Sequence, residues 1–351
     1  MNETLFSFIN KLEKEHTLSL SEYEFLITHR TKDAADLLAK YADNARREIY
    51  GNTVYIRGLI EISNICKNDC FYCGIRKSNH GVERYRLTED DILACCRDGY
   101  QLGFRTFVLQ GGEDGYFTDE RLCSLIAQIK KEYPDCAVTL SLGERTYESY
   151  KQLFDAGADR YLLRHETADN AHYEKLHPKE LSFINRMQCL ADLKKIGYQT
   201  GCGFMVGSPY QTAAHLAKDL KFIETFQPQM CGIGPFIPQS GTPFKDKESG
   251  TLELTCYLLS IIRLIKPDIL LPATTALGTI HPKGREMGIL SGANVVMPNL
   301  SPAGVRKKYA LYDNKISDGA ESAQCVTELS KHIASIGYQI VVDRGDIKFK
   351  K

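Results

Sequence analysis

The stretch Glu61-Ile-Ser-Asn-Ile-Cys66-Lys-Asn-Asp-Cys70-Phe-Tyr72-Cys73-Gly-Ile-Arg76 decides how this chain is read. Three cysteines stand at C-x3-C-x2-C, directly after the apolar run Val54–Ile62. A loop with this spacing can turn three thiolates toward one point. Thiolates are the usual ligands of iron–sulfur clusters, which normally take four. Three ligands on a cubane leave one iron without a protein donor, and an open coordination position is what a catalytic metal centre needs. Tyr72, just before the third cysteine, suits a flat ring lying beside such a cluster. A zinc site would want a fourth Cys or His at a paired spacing, and His80 alone lies nearby. Three unrelated buried thiols are the remaining alternative. Spacing and context favour the cluster on Cys66, Cys70 and Cys73.

Working outward, the rest of the chain reads as repeated α/β units. The apolar runs Val54–Ile62, Thr106–Gln110, Ala137–Leu142, Arg160–Arg164, Gln199–Val206, Met230–Gly234, Ile269–Ala273 and Asn294–Met297 are strand candidates, with helical patterns between them. One helix starts at Thr88 with Asp91 as capping-box partner. Another starts at Ser182 and stops at Gly197. Strands alternating with helices mean a parallel sheet, and eight units match a closed (β/α)8 TIM barrel. An open doubly wound sheet is the rival. Polar or glycine-rich motifs end nearly every run, and only a barrel brings all those ends to one face. Before the barrel, Leu5, Phe8, Ile9 and Leu12 recur at helical spacing, and Gly51 stops a later helix. The expected organisation is a helical extension over residues 1–50, the barrel over 51–315, and a C-terminal helical segment, 316–351, closing it.

Composition bounds the function. With 351 residues, 43% hydrophobic and 25% charged, the chain reads as globular. The 44 basic and 44 acidic residues cancel, which argues against nucleic acid or an acidic membrane as partner. No apolar run is long enough to span a bilayer, and no signal peptide is expected. Twelve cysteines are dilute at this length and mostly lie in apolar runs, so a reducing cytoplasm is expected.

Several strand ends carry chemistry. Adjacent Gly111 and Gly112 let backbone approach a ligand closely; a tight strand-to-helix turn is the bland alternative, and their place one βα unit after the cysteine loop strengthens the ligand reading. Arg164 and Glu166 are two residues apart and share a face in extended geometry. The Arg164 fork suits a carboxylate, and Glu166 can accept from ribose hydroxyls or an amine. A structural ion pair is the plainer alternative. His165, the best-placed histidine, lies between them, and no catalytic histidine is assigned. Met297, Tyr309 and Tyr312 are candidates for a cavity wall, or else ordinary core. No nucleophile elbow, P-loop or dinucleotide fingerprint is present.

The cysteine spacing resembles that of the radical S-adenosylmethionine (SAM) enzymes. The assembled motifs resemble one family among them, HydE, the radical SAM maturase of [FeFe]-hydrogenase. The similar segments include the cysteine loop, Leu109-Gln-Gly-Gly-Glu-Asp114, Thr139-Leu-Ser-Leu-Gly-Glu144, Ala158-Asp-Arg-Tyr-Leu-Leu-Arg-His-Glu-Thr-Ala168, Gly232-Ile-Gly-Pro-Phe-Ile-Pro238, Pro272-Ala-Thr-Thr-Ala-Leu-Gly-Thr279, Gly292-Ala-Asn-Val-Val-Met-Pro-Asn299 and Leu311-Tyr-Asp-Asn-Lys315. The resemblance implies a complete barrel with a [4Fe-4S] cluster on Cys66, Cys70 and Cys73 and a long internal cavity. It implies that SAM binds near Tyr72, Gln110, Gly111, Gly112, Glu113, Glu166 and Arg186. It places Thr139, Arg164, Thr274, Thr275, Met297, Tyr309 and Tyr312 along the substrate cavity. Reductive cleavage of SAM to a 5′-deoxyadenosyl radical would act on an iron–cysteine complex carrying CO and cyanide, at the cysteine sulfur. That complex would come from a partner maturase, and a reduced protein would donate the electron.

One segment departs from part of the family. Some members carry a second, peripheral cluster just past the Tyr-Asp-Asn-Lys segment, where this chain keeps only Cys325, with Ser317 and Glu328 at the other positions. The second cluster is therefore expected to be absent. Methylornithine synthase and biotin synthase are the related alternatives, with Cys136, Cys202 and Cys231 as mimics of the extra biotin synthase cysteines. A non-enzymatic carrier for an assembled iron complex is a third.

Overall fold

Strand pairing in the computed structural model, which describes residues 3–317 and 319–348, closes into a ring. The first run forms Thr53–Ile56 and Gly58–Ser63, separated by Arg57. Gly58–Ser63 pairs in parallel with Thr106–Gly111, and the order continues through Ala137–Ser141, Arg160–Leu162, Gln199–Cys202 and Met230–Cys231. Shorter pairings complete the circle. Met230 bridges Leu270, Pro272 bridges Val295, and Val295–Val296 pairs with Tyr55–Ile56. Eight parallel staves therefore make a closed barrel, as expected, with 269–273 as the seventh.

Two expected strands, those of the fifth and sixth staves, break where their backbones meet at Gly203. A Cβ on Gly203 would lie 2.1 Å from the Gly232 carbonyl oxygen, so these backbones touch at the fifth and sixth staves. Beyond that contact, Met205–Val206 pairs with Gly234–Pro235 as a separate ribbon at the rim.

The helices form where their caps predict. Thr88 and Asp91 make the capping box of Glu89–Gln101. Ser182 caps Phe183–Ile196, which ends at Gly197 in the left-handed conformation that glycine tolerates. Before the barrel, Glu3–Glu15, Leu20–Thr28 and Lys32–Tyr50 pack on its flank against Ala213–Phe226 and Leu252–Ile265. The Tyr23 hydroxyl fixes this extension by donating to Glu224 at 2.7 Å, and Tyr257 donates to the Leu26 carbonyl at 2.9 Å.

Two apolar layers result. A large core fills the space between staves and helices. Inside the barrel, Tyr55, Met230, Leu270 and Val295 form a smaller cluster, with Met297 packed on it. Below that cluster the C-terminal segment seals the amino-terminal mouth. It contains the helix Val326–Ser335 and also a strand, Gln339–Val341, that pairs with Thr53–Tyr55. The chain then crosses the floor. Buried Arg160 donates to the Arg344 carbonyl at 2.8 Å and to Asp346 at 2.5 Å, and Arg57 donates to the Gly345 carbonyl at 3.3 Å. The opposite end of the barrel carries the cysteine loop.

Candidate active site

The cysteine loop is held by its own backbone. The Arg84 guanidinium donates to four carbonyls: Asn64 at 2.6 Å, Ile75 at 2.8 Å, Arg76 at 2.6 Å and Asn79 at 2.9 Å. Arg76 pairs with Asp69 at 2.7 Å within the loop. Two glycines let neighbours press against it. A Cβ on Gly112 would meet the Ile65 carbonyl oxygen at 2.3 Å, and one on Gly74 would meet that of Ala310 at 2.0 Å. The loop is thus clamped between the second-stave turn and the segment that carries Tyr309 and Tyr312.

Cys66, Cys70 and Cys73 are half-buried and unpaired. Burial raises each thiol pKa, and neighbouring cysteines add to the rise at Cys70 and Cys73, with Cys73 pushed up to about 12. Such thiols stay protonated until a strongly cationic centre displaces the protons. Among the described residues, no three His, Cys, Asp or Glu side chains converge on a single ion, and His80 is exposed. A cubane makes no such demand, because its three thiolates sit on three different irons. Three unpaired thiols on one braced loop fit a cluster.

Beside the loop stands Tyr72, whose ring packs on Leu176, Met205, Phe236 and Phe244. Its hydroxyl lies 3.1 Å from His177 Nε2, and His177 Nδ1 lies 3.0 Å from the Tyr173 carbonyl. A carbonyl only accepts, so Nδ1 carries the proton and Nε2 accepts from Tyr72. Burial depresses the His177 pKa to about 3, which keeps this tautomer neutral. Glu113 turns toward the adjacent loops: it accepts from the Glu144 amide at 3.0 Å and pairs with Lys67 at 3.1 Å. Glu144 in turn clasps Arg186 at 2.5 Å and Asn185 at 2.6 Å, while Arg186 also donates to the Arg164 carbonyl at 2.7 Å. Tyr173 and His177, in and just after the helix Asn170–Leu176, carried no sequence signal.

Deeper in the barrel mouth, several buried polar atoms lack a hydrogen bond among the described residues. Arg164 Nη2 lies 3.0 Å from Glu166 Oε2, yet neither atom makes an aligned hydrogen bond among the described residues. Arg164 Nε, Thr139 Oγ1 and Thr274 Oγ1 are also buried without a partner among them. Buried polar groups are normally satisfied, and each missing bond costs about 1–3 kcal/mol. Glu166 adds backbone strain, since it holds a φ of 66° without being glycine. These unsatisfied atoms belong to the third, fourth and seventh staves and face one interior.

The other expected wall residues divide. Gln110 donates to the buried Tyr309 hydroxyl at 3.4 Å. Thr275 turns aside to Glu321 at 3.0 Å, which leaves Thr274 as the free hydroxyl of the pair. Tyr312 reaches Thr279, and Met297 lies lower, on the inner apolar cluster. An ion pair that sequence reasoning missed stiffens this wall: Lys315 lies 2.6 Å from fully buried Glu61, which also accepts from Asn299 at 2.9 Å.

Other candidates face away. His165 packs on Phe222 and lies 3.2 Å from Asp219, in the layer outside the barrel. Its Nδ1 accepts from the Gly203 amide at 3.3 Å, so the proton is on Nε2. Cys202 and Cys231 are free thiols in register on adjacent staves and belong to the outer core, and Cys136 is buried there too. Ser317 is buried, Cys325 half-buried and Glu328 exposed.

Residues 60–223 match the radical SAM superfamily. The chain is 43% identical over 330 residues to the [FeFe] hydrogenase maturase subunit HydE of Thermotoga maritima, covering 94% of this chain and 93% of that protein. It is 29% identical to 3-methylornithine synthase of Methanosarcina barkeri, across 88% of this chain and 87% of that one. Among solved structures, the crystal structure of methylornithine synthase (PylB) superposes with a TM-score of 0.83 at 25% identity, covering 95% of this chain and 97% of that chain. With the cysteine loop at the open end of a closed barrel and a relative of this identity along nearly its whole length, the protein is a radical SAM enzyme, and the chain belongs to the HydE family.

Proposed function

We propose that this enzyme works in [FeFe]-hydrogenase maturation on a compact anionic substrate, an iron–cysteine complex carrying CO and cyanide. The observation that carries this reading is the set of buried atoms on Thr139, Arg164 and Thr274 that lack a hydrogen bond among the described residues. Hydroxyls and a guanidinium facing one interior suit a small anion better than a long apolar chain. Cys66, Cys70 and Cys73 would hold a single [4Fe-4S] cluster, with none at Cys325. When bound, the cluster and SAM supply one-electron cleavage of SAM to methionine and a 5′-deoxyadenosyl radical. Tyr72, Gln110, the Gly111–Gly112 turn, Glu113, Glu166 and Arg186 line the SAM side, with Glu113 and Glu144 setting the loops. Arg164 lies between the two ligands: its fork holds the substrate carboxylate while Glu166 faces SAM. Thr274 and Thr139 donate to the diatomic ligands, Tyr309 and Tyr312 close the wall, and Thr275 stiffens it through Glu321. The implied partners are another maturase that delivers the complex and a reduced protein that supplies the electron. The compartment is a reducing cytoplasm; no helix among the described residues is long and apolar enough to cross a membrane.

Product analysis under reducing, anaerobic conditions tests the reading. Wild-type enzyme should convert the iron–cysteine complex, and Arg164→Ala should lose most of that turnover while still making deoxyadenosine. Conversion of lysine to methylornithine, or of dethiobiotin to biotin, with the iron complex left untouched, would refute it.

A further inference from the structure

We propose that Gly232 determines substrate size, by leaving an apolar niche in the cavity between Leu162 and Pro272. The proposal rests on the cavity reading above and adds a position to it. Residues two apart on a stave face the same side. Met230 faces the interior, where it joins Tyr55, Leu270 and Val295 and lies 3.0 Å from Arg57. Gly232 is therefore the next inward position toward the cysteine loop.

The glycines of these two staves differ in what surrounds them. A Cβ would lie 2.7 Å from Leu162 on Gly201, 2.1 Å from the Gly232 carbonyl on Gly203, and 2.8 Å from the Thr274 hydroxyl on Gly234. Packing alone explains those three. On Gly232 the nearest atoms are Leu162 Cδ2 and Pro272 Cγ, each at 3.9 Å, an ordinary van der Waals contact. Nor is its φ in the left-handed region. Neither sterics nor backbone conformation requires glycine here. Glycine contributes empty space.

That space has a defined chemistry. Its walls are the carbon atoms of Leu162 and Pro272. Two residues further along the same segments come Arg164 and Thr274, with buried polar atoms that lack a hydrogen bond among the described residues. A ligand held by its charge at Arg164 would set a compact, uncharged face into the niche. A branched side chain at 232 would occupy the same volume.

The test compares reconstituted wild-type enzyme with Gly232→Ala and Gly232→Val, using the iron–cysteine complex, lysine and dethiobiotin as substrates. Iron content and the KM for SAM should stay at wild-type values in both variants. Gly232→Val should lower kcat/KM for the substrate that the wild type converts by roughly tenfold or more, the scale of a filled pocket. Deoxyadenosine formed per product should rise, and Gly232→Ala should fall between. Wild-type turnover in Gly232→Val would overturn the proposal. Loss of iron or SAM binding in both variants would also overturn it, because the position would then be structural. If the wild type converts lysine or dethiobiotin instead of the iron complex, the proposed function fails, and the same comparison on that substrate still decides the niche.

Discussion

Arg84 supports the cysteine loop without belonging to the cysteine motif. Its four bonds to loop carbonyls fix the backbone that carries the thiols, and charged hydrogen bonds of this kind contribute about 1.5–3 kcal/mol each. Arg84→Ala should reduce iron retained after reconstitution while helix content by circular dichroism stays unchanged; full iron retention would show that the loop holds itself. A second expectation concerns Arg186 and Glu166. Arg186→Ala and Glu166→Gln should weaken SAM binding by roughly ten- to a hundredfold, the equivalent of one lost charged partner, with iron content unaltered. Equal SAM affinity in both variants would leave these residues as structural ions. At this scale the sequence was legible wherever a motif is local. The three cysteines, the paired glycines and the Arg-His-Glu run announce themselves by spacing. Arg84, His177 and the Glu61–Lys315 pair do not: Arg84 acts on the backbone of its own loop, and the others act through contacts with distant parts of the chain. Glu61 and Lys315, for instance, are 254 residues apart. Only folding makes them neighbours.

Among elements, the short helix Asn170–Leu176 and the residue after it join the fourth-stave loop to the cysteine loop, through His177 and Tyr72. This joint is sensitive to acid. The folded pKa of His177, about 3, lies below the ordinary histidine value. Below about pH 6.5 the unfolded chain therefore binds the extra proton and the folded one does not. Stability from this group is complete above about pH 6.5 and is lost as pH falls toward 3, by about 1.4 kcal/mol per unit. Unfolding by denaturant at pH 7 and pH 5 should show that loss in the wild type and a smaller one in His177→Gln; an identical loss in both would remove His177 from the account. Most elements could be read in advance, since long Val/Ile/Leu runs mark staves buried on both faces and glycines mark the stops at Gly51 and Gly197. The misread boundaries on the fifth and sixth staves have one physical cause. Gly203 and Gly232 bring two backbones into contact, and a long apolar run conceals that contact. The strand Gln339–Val341 escaped notice for another reason: it is three residues long and pairs with a stave at the far end of the sequence.

At the scale of the whole molecule, the two ends of the barrel are built differently. The cysteine end collects loops with unsatisfied polar atoms on Thr139, Arg164 and Thr274, and the other end is sealed by an ionic floor in which Arg160, Arg344 and Asp346 bond to one another. Asp346→Asn should therefore lower stability by about 1–3 kcal/mol, through the weakened bond to buried Arg160. It should leave SAM cleavage by the folded enzyme unchanged, because the cysteine loop is at the opposite mouth. Thermal unfolding and deoxyadenosine assays on the same sample separate the two effects; a parallel fall in both would mean that the floor and the active end communicate. The floor also orders the protein's own biogenesis. Residues 339–348 follow all eight staves in the chain, and domains begin folding from their N-terminal side during synthesis. A nascent barrel can pair its staves while it remains a tube open at both ends, and it becomes a closed vessel only when this late segment emerges and threads across.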